Sequence, residues 1–132
     1  RAISLKGSGN VRVENGLNSH DMDVKLTGSG NMEIDRLYGN NLYSELTGSG
    51  NIRINSGTVE SQTVHITGSG DYEAGNMNSN HAEVTITGSG NATVKASNSL
   101  KARISGSGNV YYYGNPVTDV SITGSGNVKH QN

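Results

Sequence analysis

Seven copies of Gly-Ser-Gly begin at Gly7, Gly28, Gly48, Gly68, Gly88, Gly106 and Gly124, in steps of 21, 20, 20, 20, 18 and 18 residues. Asn follows each triplet except the fourth, where Asp71 stands. Fourteen of the nineteen glycines belong to these triplets, so linker composition does not account for them. A near-constant period of this length points to a solenoid, in which each repeat is one coil stacked on the last.

The residues around the triplets say what each coil is made of. Two positions before the first Gly lie Leu5, Leu26, Leu46, Ile66, Ile86, Ile104 and Ile122. Four before lie Ile3, Val24, Ser44, Val64, Val84, Ala102 and Val120. Four after lie Val11, Met32, Ile52, Tyr72, Ala92, Val110 and Val128, and six after lie Val13, Ile34, Ile54, Ala74, Val94, Tyr112 and His130. Apolar residues alternate with polar ones on both sides of the corner, which is the period of a strand with one buried face. No segment carries helical spacing, and a coil of about 20 residues is too short for a strand-helix-strand unit of ~30. The expected fold is therefore all-β: a right-handed, single-stranded parallel β-helix (β-solenoid) of about seven coils, 18–21 residues each, filling residues 1–132 as one domain. Six steps at ~4.8 Å give a rod of roughly 29 Å. Glycine suits the corner because it accepts positive φ and lets coils stack without side chains. The stretches 14–21, 35–41, 55–60, 75–80, 96–99 and 114–116 are rich in Asn, Ser and Gly and are expected to be variable loops.

Composition narrows the function. Leu, Ile and Val make up only 26 of 132 residues and there is no Phe or Trp, so order must come from stacked columns rather than a thick core. Stacked Asn can add amide ladders, whether they point in or out. A net charge of −1 argues against a nucleic-acid binder. No apolar run approaches the ~18 residues that would insert in a membrane. The absence of Cys removes disulfides and thiolate metal sites.

Each sharper reading meets a plainer one. The triplets lack the third Gly or the Gly-Lys-Ser/Thr ending of a phosphate cradle. Only Asp71 offers a corner carboxylate, too few for calcium. His20, His65, His81 and His130 fall in four columns, so no metal or cofactor is expected. Glu33 and Glu73 share the outward column Arg12, Glu33, Arg53, Glu73, Thr93, Tyr111, Lys129, but two coils apart with Arg53 between, which reads as a charge ladder and not a catalytic pair. The hydroxyl column Thr27, Thr47, Thr67, Thr87, Ser105, Thr123 is flanked by charged residues, which spoils an ice-binding plane. Tyr111 and Tyr113 point outward by parity, placed for sugar or protein contact or as a cover over the last coils. The candidate contact surface is Tyr111, Tyr113, Arg12 and Arg53.

The corners, with the stretch Leu100–Val128 (LKARISGSGNVYYYGNPVTDVSITGSGNV) and its Tyr-Gly-Asn-Pro element, resemble the head GIN domain family, described as a putative autotransporter adhesin, mostly of Bacteroidetes. Here Thr usually precedes the triplet where that family often has Ser, and Asn replaces Asp at six of seven corners. The resemblance implies a non-enzymatic, exported adhesin-like module at the cell surface, in the periplasm or in the outer envelope, binding an unknown protein or glycan. Two alternatives remain open: a structural solenoid that self-associates through its end coils as a homo-oligomer, and, more remotely, a carbohydrate-active β-helix enzyme. The family is longer before its first regular coil, so the N-terminal cap is expected to be absent from this chain.

Overall fold

The computed structural model describes residues 2–131, with the side chains of Asn15, Leu17 and Ser19 outside the described set. It contains eleven strands and no helix among these residues: β1 (Ala2–Lys6), β2 (Asn10–Gly28), β3 (Asn31–Gly48), β4 (Asn51–Ile54), β5 (Gly57–Gly68), β6 (Asp71–Glu73), β7 (Met77–Gly88), β8 (Asn91–Gly106), β9 (Asn109–Tyr113), β10 (Val117–Thr123) and β11 (Asn127–His130). Every pairing is parallel and joins one repeat to the next, for example Leu26 with Leu46, Leu46 with Ile66 and Ile66 with Ile86. The result is a β-solenoid of about six turns. The count falls below seven because seven corners delimit only six complete intervals.

The corner is built as its sequence requires. Gly48 has φ 110°, a region that side chains disfavour. Gly50 is needed for space: a Cβ there would lie 2.2 Å from the carbonyl oxygen of Gly30 in the preceding coil. The corners also bond to one another, since Gly28 O accepts from both Ser49 N (3.2 Å) and Gly50 N (3.0 Å).

The four alternating columns form the interior. Leu26, Leu46, Ile66, Ile86 and Ile104 are buried in one, and Met32, Ile52, Tyr72, Ala92 and Val110 in another. Large and small residues alternate where needed: the Tyr72 ring shares its column with Ala92 and its strand's end with Ala74. Each buried aliphatic side chain contributes about 1.5–3 kcal/mol by leaving water. At the ends the stacking is incomplete. Ile3 and Leu5 are half-buried against the core, whereas Val120 and Ile122 are exposed on the last coil.

The expected loops are largely strand. Residues 14–21, 35–41 and 96–99 lie inside β2, β3 and β8, and only short bends such as 55–56 and 114–116 interrupt the ladders. Inter-coil bonds supply the partners there, and Leu37, Val59, Met77 and Ala96 turn inward to extend the core. A further bend lies at Asn40, Glu60 and Asn80, where the ladder passes from Gly39–Val59–Ser79 directly to Asn41–Ser61–His81.

The Asn residues after the corners point outward. Asn31 Nδ2 donates to Asn10 Oδ1 (3.2 Å), Asn51 Nδ2 to Asn31 Oδ1 (3.1 Å), and Asn109 Nδ2 to Asn91 Oδ1 (3.1 Å). Asp71 keeps the ladder whole by accepting from Asn91 Nδ2 (3.2 Å), while its own backbone N donates to Asn51 Oδ1 (3.3 Å).

Candidate functional site: an amide-walled lateral groove

The bend at Asn40, Glu60 and Asn80 opens a groove of about 520 Å³ along the side of the solenoid. Its lining begins at Gly39 and ends at Asn115, so it crosses five successive coils. Four steps at ~4.8 Å make it about 19 Å long, parallel to the solenoid axis. Val59, Ser79 and Ala96 close its floor, each nearly or fully buried. One wall carries Thr58, Asn78 and Lys95; the other carries Asn40, Glu60, Asn80, Ser97 and Asn115.

The second wall is held by its own bonds. Asn80 Nδ2 donates to Glu60 Oε2 (2.8 Å), and Ser97 Oγ donates to Asn80 Oδ1 (3.0 Å). A primary amide has two donor hydrogens and two acceptor lone pairs, so Asn80 keeps one of each for a ligand. Tyr38, 41 % exposed, stands beside Thr58 in register at the groove's first coil.

The floor is tied to the core by a buried polar chain. Tyr72 OH donates to Gln62 Oε1 (3.0 Å), Gln62 Nε2 donates to Ser79 Oγ (2.9 Å), and Ser79 Oγ donates to Lys95 O. Burial pushes the Tyr72 phenol well above its ordinary value. The Ser44 hydroxyl is near enough to oppose this in part, though Ser44 Oγ makes no hydrogen bond of good geometry.

The four residues expected at a contact surface lie elsewhere. Arg12, Arg53 and Tyr111 do share one outward column, through Glu33, Glu73 and Thr93. Arg12 is occupied by Glu33 (3.9 Å) and Asp35 (3.8 Å). Arg53 lines a second groove of about 430 Å³ between this column and the Asn ladder. Tyr113 is 36 % exposed and lies over Gly75, where an added Cβ would come within 2.9 Å of its ring. His130 is fixed by Gly114 O (2.7 Å) and by the Tyr112 ring at 5.1 Å.

The amide groove escaped sequence reasoning because its walls come from stretches assigned to loops. A usable signal was present: Asn40, Glu60 and Asn80 each stand eight residues before the next triplet.

Solved structures share this architecture. One, described as a putative lipid binding protein from Parabacteroides distasonis, superposes with a TM-score of 0.96 at 34% identity over 99% of this chain and 53% of that one. A putative adhesin from Bacteroides fragilis gives 0.93 at 34% identity over 98% of this chain and 60% of its own. A putative adhesin from Parabacteroides merdae gives 0.92 at 28% identity over 98% and 57%. The chain thus spans a little over half the length of these structures. No curated protein matches it in sequence. The family model for "putative auto-transporter adhesin, head GIN domain" matches residues 1–116. With the repeated corners, the parallel coils and this match, the chain belongs to the head GIN domain family of putative auto-transporter adhesins.

Proposed function

We propose that the chain is a non-enzymatic, exported binding module of adhesin type, presenting its lateral faces to a ligand at the cell surface or in the envelope. The observation that carries this reading is the five-coil groove, whose amide walls keep unspent hydrogen-bonding capacity beside the parallel ladders. The family's adhesin description supports it. The carboxylates argue against hydrolysis. Among the described residues Glu60 is the one acid lining this groove, and Glu33 is engaged by Arg12 and by Asn55 Nδ2 (3.0 Å). Arg53 and Tyr111 form a secondary contact strip on the neighbouring face, with Arg12 and Tyr113 at its margins.

A second reading has coils stacking end to end into an open assembly, through the apolar pair Val120 and Ile122 exposed on the last described coil. Sedimentation velocity over a hundredfold concentration range separates the two. A closed small species supports the lateral module, and growth without limit supports the scaffold. A glycan and matrix-protein array then tests the module itself: saturable retention is expected, and no retention of any class would overturn it.

A further inference from the structure

The geometry points to an uncharged glycan chain as the ligand of the amide groove, lying along the solenoid axis with successive sugars on successive coils. This inference rests on the binding-module reading and gives it a ligand class.

Four observations carry it. First, the groove is long, narrow and open, and its contacts repeat once per coil, at a spacing close to the length of one β-1,4-linked pyranose. A polymer of such units, turned over at each β-1,4 link, can meet a polar wall residue at every coil. Second, the walls are amides and hydroxyls. Each sugar hydroxyl both donates and accepts, and a primary amide presents one of each in a single plane. Asn40, Asn78 and Asn115 make no side-chain bond among the described residues, and Asn80 keeps a spare donor and acceptor. Third, among the described residues the groove carries one acid, Glu60, and one base, Lys95. That balance offers no field for a polyanion. Fourth, Tyr38 stands exposed at the first coil, a face on which an apolar sugar face can stack.

Other polymers fit less well. An extended peptide added to a sheet needs an unpaired backbone edge. Here Thr58, Val59 and Ser79 already pair with the coils on either side, and Asn78 pairs with Thr58 of the coil before it. A lipid tail needs an apolar trough, and this one has polar walls.

The test is a titration of the ¹⁵N-labelled chain with β-1,4-linked glucose and N-acetylglucosamine oligomers of one to six units. Malto-oligosaccharides serve as the linkage control and polygalacturonate as the charge control. The expected result is saturable movement of the Asn78 and Asn80 side-chain amides. Affinity should rise by about tenfold or more from monomer to tetramer and level off near five units, as each added coil contact strengthens binding. Asn78→Ala, which removes no bond of the fold, should weaken tetramer binding by about fivefold or more, with the melting temperature unchanged. Asn80→Leu should weaken it further. The inference is overturned if no neutral oligomer moves these amides at millimolar concentration, if binding maps elsewhere or survives both substitutions, or if only polygalacturonate binds. Should the array retain a protein while no glycan reaches the groove, the glycan assignment falls and the binding-module reading stands.

Discussion

Tyr72 OH donates to Gln62 Oε1 across 3.0 Å in the middle of the solenoid, with both side chains buried. Gln62 passes the connection on to Ser79 under the groove. A polar chain in an otherwise aliphatic interior fixes the floor's register, because any slip would strand its members without partners.

Tyr72→Phe should therefore cost more than one exposed hydrogen bond. It leaves Gln62 Oε1 buried without its donor, and the expected loss is about 1–3 kcal/mol in urea denaturation. Adding Gln62→Leu should recover part of that loss, so the double variant should be less destabilised than the two single losses summed. Strict additivity would show that the two side chains are not coupled.

The same phenol makes stability sensitive to alkali. Its folded pKa is raised above the ordinary 10.0 by burial, so the folded state holds this proton where the unfolded chain releases it. The contribution is complete below pH ~10 and is lost as pH rises beyond it. Denaturation midpoints should fall above pH ~10 in the wild type, and less steeply in Tyr72→Phe. Equal slopes would remove Tyr72 as the cause.

Corner chemistry predicts a contrast between neighbours. Gly50→Ala places a methyl against Gly30 O and should cost about 1–3 kcal/mol or more. Ser49→Ala, on an exposed side chain, should stay within about 0.5 kcal/mol. Thermal melting of the two variants checks both.

The Asn ladder offers a gentler test. Asn51→Ala removes its donation to Asn31 Oδ1 and its acceptance from Asp71 N, an exposed pair of bonds worth about 0.5–1.5 kcal/mol. Asp71→Asn keeps an acceptor for Asn91 and adds a donor facing Asn51, so it should be neutral or slightly stabilising. A marked loss in Asp71→Asn would mean that the carboxylate does more than bridge the ladder.

Much of this architecture was legible around the triplets. Ile66 and Tyr72 flank a glycine corner at even offsets, and period two alone places both inside. The charge column from Arg12 to Lys129 was equally readable, since equal offsets become neighbours on stacking. Residues 35–41 were not. Arg-Leu-Tyr-Gly-Asn-Asn reads locally as a turn, and it becomes strand only because the coils 20 residues away bond to it. Gln62 was a missed clue, a polar residue buried in the inward column of Met22, Leu42, Ala82 and Leu100. The groove was hidden for the same reason as residues 35–41. Its walls are assembled from five coils, and no single stretch of sequence contains it.

In the proposed function this solenoid binds through its side and not its ends. The direct measurement is retention of the purified chain on a glycan and matrix-protein array, compared with two variants. One carries Asn78→Ala with Asn80→Leu in the groove, and the other carries Val120→Lys on the last described coil. The account predicts that the wild type and the Val120→Lys variant are retained alike and that the groove variant is lost. Retention that survives the groove changes but disappears with Val120→Lys would contradict it.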